Sequence, residues 1–140
     1  MKNFLYSLSV VLKSKFIFKN PNKSEIVIFD DNSIKDLNNL IKKFDNYFIL
    51  QVRRVNINKF YITFAIIKNT IINYFKTKNL FSAYLVSLIT KINPKVVLTN
   101  IDNSVKFSEL AKFFQNKINF VAIQNATRNP EREKFLYENN

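Results

Sequence analysis

Four short apolar runs punctuate the chain, and each is closed by polar residues. They are Ile26 to Phe29 (IVIF), Tyr47 to Val52 (YFILQV), Lys95 to Thr99 (KVVLT) and Phe120 to Ile123 (FVAI). Runs of four to six apolar residues bounded by turn chemistry predict strands buried on both faces. Between them the apolar spacing becomes helical. Ile34, Leu37, Leu40 and Ile41 share one face, with Ser33 as the expected cap. Ile57 to Phe75 is apolar nearly all round, which predicts one long, largely buried helix. Asn79 is placed to cap a second helix, Leu80 to Ile92, which stops before Asn93-Pro94. Ser104 is placed to cap a helix carrying Phe107, Leu110, Phe113 and Phe114. Phe16 to Lys23 reads as extended or turn, broken at Asn20-Pro21, and the charged tail from Arg128 frames a final short helix.

Strands alternating with helices predict a parallel sheet joined by right-handed crossovers. The expectation is a single domain over residues 1–140. Its fold class is α/β, a Rossmann-like three-layer sandwich with about four parallel strands and helices on both faces. The chain has no Gly, so its turns need another residue tolerant of the left-handed region. Asn fills that place best, which gives some of the 21 Asn residues a purely structural task. The 15 Phe and six Tyr are read as core.

Composition narrows the chemistry. Without Cys there is no disulfide, thiolate metal site or cysteine nucleophile, and without His no Ser-His-Asp triad or HExxH site. Without Gly neither a P-loop nor a GxGxxG turn can form. Catalysis must rest on Asp, Glu, Lys, Arg, Tyr, Ser, Thr or Asn. The net charge is +12, carried by 18 Lys and only four Arg. The Lys, Asn, Ile and Phe bias is what A/T-rich codons produce, and the lysines are scattered. The densest sets are Lys13-Lys15-Lys19-Lys23 and Lys42-Lys43. A solvated basic surface is the plain reading. Attraction to a nucleotide, phosphate or membrane surface is the sharper one.

Polar residues interrupt the longest apolar stretch, so no transmembrane helix is expected. The N-terminal MKNFLYSLSVVLKSK lacks a small-residue cleavage site and is not read as a cleaved signal. No metal site is expected, because the carboxylates do not fall at ligand spacing.

In open parallel sheets, ligands bind beyond the carboxyl ends of the strands, where the strand order reverses. The four ends carry Asp30-Asp31-Asn32-Ser33, Arg53-Arg54-Val55-Asn56, Asn100-Ile101-Asp102-Asn103-Ser104 and Gln124-Asn125-Ala126-Thr127-Arg128. Any one set could be turn and cap chemistry; Asp30 or Asp31 could simply prepare the turn into a helix. Their joint placement on one edge argues for a site. Arg53-Arg54 suits a phosphate or carboxylate clamp. Asp102 suits a helix cap, a proton acceptor or a partner for a sugar hydroxyl.

These strand ends, in their order and spacing, resemble the N-terminal half of bacterial surface carbohydrate (surface polysaccharide) biosynthesis proteins, transferases similar to two-domain GT-B glycosyltransferases. The segments that carry the resemblance are KFIFKNPNKSEIVIFDDNS, ILQVRRVNIN, NPKVVLTNIDNSVKFSELAKFF and INFVAIQNATR, about Phe16 to Arg128. In that family the Gln-Asn pair is usually followed by Gly, where this chain has Ala126.

The resemblance implies transfer of a sugar or related group from a nucleotide-activated donor to a hydroxyl, in making a surface glycan. Asp102 and Asp30 are then the candidate bases. Asp31, Arg53, Arg54, Asn56, Asn103, Gln124, Asn125 and Arg128 are the candidate substrate grips. It also implies an acceptor-side half that needs a second, donor-holding domain for activity. No cofactor is implied beyond the nucleotide-sugar substrate. The implied partners are that donor, a glycan acceptor, the second domain and peripheral contact with the inner membrane, at a cytoplasmic location. No specific nucleic acid is implied. Two alternatives compete: a basic nucleic-acid-binding module, suggested by charge, and a response-regulator receiver-like domain, suggested by the paired acids in IVIFDD with Asp102 as phosphorylation site.

Overall fold

A computed structural model describes residues 13–44, 46–53, 57–101 and 104–123. Ten elements follow in chain order. They are β1 (Lys15–Ile17), β2 (Ile26–Phe29), α1 (Ser33–Ile41), β3 (Tyr47–Leu50), β4 (Lys59–Tyr61), α2 (Phe64–Thr77), α3 (Leu80–Ile92), β5 (Val96–Thr99), α4 (Val105–Phe113) and β6 (Asn119–Ala122).

The main sheet is parallel throughout, in the order β3-β2-β5-β6. Its two central strands are the most buried of the four, as expected of strands covered on both sides. Side chains alternate across it. Val27, Phe29 and Val97 join the larger core with Leu85, Ile89, Phe107 and Leu110. Ile26, Ile28 and Leu98 face Leu37 and Ile41 of α1 on the other side. Each such fully buried aliphatic or Phe side chain contributes about 1.5–3 kcal/mol of transfer free energy. The α/β three-layer sandwich of parallel strands, with helices on both faces, is therefore the observed fold.

The strand positions match the sequence pattern to within a residue or two, and Asn79 and Ser104 cap α3 and α4 through their side chains as expected. Other expectations need correction. The long helix over residues 57–75 begins only at Phe64, where Thr63 caps it. Its first part is extended instead: β4 pairs in parallel with β1 as a separate two-stranded ribbon. Nor is the helix largely buried. Only Ile66 and Thr70 are buried, because α2 packs chiefly against α3 and not against the sheet. The aromatics divide likewise. Phe29, Phe107 and Phe114 are core, while Phe18, Phe44, Phe64, Tyr74 and Phe75 are exposed.

Ser33 is not a cap: the N-cap of α1 is Asn32, in helical conformation and without a side-chain bond. Among the described residues, four non-Gly residues take positive φ. Asn93 and Asn116 are the expected substitutes for Gly, joined by Lys78 and Asp30.

Candidate functional site

The chain order dictates where a crevice forms. From β2 the chain crosses by α1 to β3, on one side of β2. It later returns to β5, on the other side. α1 and α4 consequently cover opposite faces, α1 against Ile28 and α4 against Phe29. The strand order reverses between β2 and β5, and ligands of open α/β sheets bind outside the carboxyl ends at such a point.

Three polar residues knit that point together. The Ser33 hydroxyl lies 2.5 Å from Oδ1 of Asn100 and 3.2 Å from the Phe29 carbonyl. Its single hydrogen serves one acceptor at a time, and the shorter contact is to Asn100. The Asn100 N–H returns a bond to the Ser33 oxygen at 3.4 Å, and Thr99 Oγ1 lies 3.5 Å away. All three residues are buried.

Asp30 stands beside this cluster, immediately after the end of β2. Its backbone is left-handed, with φ 77°. For an L-residue that conformation costs about 1–2 kcal/mol, tolerated best where a short polar side chain bonds locally. Asp30 does so: Oδ1 accepts the Asn32 N–H at 3.1 Å. Its own N–H donates to the Leu50 carbonyl at 3.0 Å, and its carbonyl accepts from Ser33 N–H at 3.1 Å. The residue thus prepares the turn into α1, one of the two roles expected of it.

The Asp30 side chain is also charged chemistry. It is 2% exposed, and Oδ2 accepts from Nε of Arg53, whose side chain is 48% exposed. Burial holds the carboxyl above its ordinary value, and the neighbouring Asp31 carboxyl adds to this. The Asn32 N–H and the Arg53 guanidinium oppose the rise without cancelling it. A carboxylate with raised proton affinity, clasped by a half-exposed guanidinium, can accept a proton from a hydroxyl and leave cationic N–H groups for an anion.

The pair borders a cavity of about 1060 Å³. Phe16, Phe60, Ile66, Phe81 and Tyr84 supply much of its apolar wall. Asn79, Ser104 and Lys106 supply polar groups beside Asp30 and Arg53. Lys106 Nζ donates to Ser82 Oγ at 2.6 Å and to Glu109 Oε2 at 2.7 Å, which fixes its ammonium between α3 and α4. Tyr84 accepts the Tyr61 N–H at 2.9 Å, tying β4 to α3. Its hydroxyl is pushed up to about 12 by burial.

Of the residues expected at the site, the structure joins Asp30 and Arg53 and places Asp31 next to them. Arg54, Asn56, Asp102, Asn103, Gln124, Asn125 and Arg128 lie outside the described residues. Sequence reasoning passed over Ser33 as a bridging hydroxyl, Asn100 as its partner, and Lys106. Among the described residues, no three His, Cys, Asp or Glu side chains gather as a metal site. Nor is any helix there long and apolar enough to cross a membrane. No protein-family model, curated protein or solved structure matches this chain.

Proposed function

We propose that this chain is the acceptor-side domain of a glycosyltransferase of surface polysaccharide biosynthesis. In this reading it moves a sugar or related group from a nucleotide-activated donor to a hydroxyl. The single observation that carries the reading is the Asp30–Arg53 pair, at the carboxyl edge where the strand order reverses and on the rim of a large cavity.

Each part has a task in that chemistry. Asp30 takes the proton from the acceptor hydroxyl as the new glycosidic bond forms, and burial suits it because a base works best when its proton affinity is raised toward the working pH. Arg53 keeps the carboxylate oriented and offers its remaining N–H groups to an anionic substrate oxygen. The nucleotide diphosphate leaves with the electron pair of the broken bond. A second domain holds most of the donor, and the transfer takes place on the cytoplasmic side of the membrane.

The test is made in the source organism. Asp30→Asn keeps the size of the side chain and its bond to Asn32 but removes the base. The expected result is loss of the surface glycan at unchanged chain abundance. Unchanged glycan quantity and size would remove Asp30 from the reaction and the reading with it.

A further inference from the structure

We infer that the acceptor is a sugar joined to an uncharged apolar aglycone, and that this aglycone fills the cavity beside Asp30 and Arg53. The inference rests on the acceptor-side reading and names the class of acceptor.

The first observation is the make-up of the cavity wall. The rings of Phe16, Phe60, Tyr84 and Phe81 follow one another at centroid distances of 6.3, 5.7 and 6.5 Å and form a continuous aromatic surface. Ile67 and Ile71 of α2 border the same space and are 47% and 57% exposed. The cavity, about 1060 Å³, lies at the upper end of the usual size of ligand sites. Its exposed apolar side chains gain cover when an apolar body enters, and a sugar would give them little.

The second observation is how the polar atoms of the wall are already engaged. The Thr70 hydroxyl donates to the Ile66 carbonyl at 2.7 Å, and the Tyr84 oxygen accepts the Tyr61 N–H at 2.9 Å. The side-chain oxygens of Asn79 and Ser104 accept the N–H groups of Ser82 and Phe107 as helix caps. A sugar seated among the rings would leave most of its hydroxyls without partners, which a buried site penalises heavily. Hydroxyl chemistry therefore belongs to the carboxyl edge at Asp30 and Arg53, and the space behind it to an apolar group.

Charge decides what kind of apolar group. Among the described residues, the cations of the wall are Arg53 and Lys106. Each already holds a carboxylate, Asp30 for Arg53 and Glu109 for Lys106. These four charges cancel. A phosphate-bearing aglycone, with a charge of about −1.5 to −2 at neutral pH, would bring uncompensated charge into an apolar space. An uncharged one brings none.

Amide nuclear magnetic resonance titrations with methyl, phenyl and octyl β-D-glucopyranoside test this, the last kept below its micelle concentration. All three should shift residues 30–33 and 50–53. The phenyl and octyl glucosides should also shift residues 60–62, 66–71 and 80–84. They should bind at least about tenfold more tightly than the methyl glucoside, since burying two methylene groups is already worth that factor. Ile71→Asn should remove most of the octyl advantage and Ile71→Leu should keep it; the site is exposed, so far-ultraviolet circular dichroism should match the wild type for both. Octyl phosphate should bind less tightly than octyl glucoside. Equal affinity for all three glucosides, with shifts at residues 30–33, would overturn the inference and leave the acceptor-side reading standing. Tighter binding of octyl phosphate would overturn the uncharged aglycone. Shifts in the cavity with none at residues 30–33 and 50–53 would overturn the acceptor-side reading, and the inference with it.

Discussion

The guanidinium of Arg53, half in solvent, reaches back over the chain to hold the carboxylate of Asp30, which is almost wholly buried. The two residues follow neighbouring strands that pair in register, so the sheet sets their approach before any side chain is chosen. Ion pairs of this kind are poor evidence of stabilisation, because desolvating the carboxylate opposes the attraction. Here burial outweighs the pairing, and the Asp30 carboxyl binds its proton more tightly than an exposed one.

That sign gives the first prediction. The carboxyl binds its proton more strongly in the folded than in the unfolded chain. Its contribution to stability is therefore fully present below the ordinary 3.8 and declines as pH rises through the folded value. Asp30→Asn should remove this decline. Denaturant melts across the acid range should show the variant gaining on the wild type as pH rises above 3.8. A variant that loses ground over that range would show that Arg53 outweighs burial.

Ser33 gives the second. Its hydroxyl joins the ends of β2 and β5 through Phe29, Thr99 and Asn100. Ser33→Ala should cost about 1–3 kcal/mol, because it strips buried polar groups of one partner. Urea denaturation measures this directly.

Much of this arrangement was legible in the sequence. IVIF and VVLT could hardly be anything but central strands, and the polar residues after them fell on one edge because all strands of a parallel sheet point the same way. Asn79 and Ser104 were readable as caps because a cap is a local event. The long helix over residues 57–75 was misplaced because apolar residues all round a helix imply burial only when the fold supplies neighbours all round. Among the described elements, α2 packs chiefly on α3. The ribbon of β1 and β4 pairs residues more than forty positions apart, which no local pattern announces. Ser33 looked like a cap because Ser precedes many helices. Its partner Asn100 is 67 residues away and only the closed sheet brings it near.

The third prediction concerns Tyr84. Its hydroxyl accepts the Tyr61 N–H, and burial raises it from 10.0 to about 12. The stability tied to the neutral phenol is complete below pH 10.0 and is lost as pH climbs toward about 12. Tyr84→Phe should cost about 1 kcal/mol at neutral pH through the lost bond. It should also flatten the alkaline fall in melting temperature and speed amide exchange at Tyr61.

The absence of Gly yields the fourth. Lys78 closes α2 in the left-handed region, at φ 54°, where Gly is the usual residue. Lys78→Gly should stabilise the fold by about 1 kcal/mol, since the side-chain clash exceeds the added freedom of the unfolded chain. Lys78→Val should destabilise it. Thermal melts of the pair decide the matter.

The central claim is that the carboxyl edge around Asp30 and Arg53 receives a hydroxyl-bearing acceptor. Amide nuclear magnetic resonance of the isotopically labelled chain, titrated with a panel of mono- and disaccharides, tests it most directly. The predicted result is saturable shifts confined to residues 30–33, 50–53 and 99–101, weakened by Arg53→Ala. Shifts at the far ends of the strands, or none with any sugar, would contradict it.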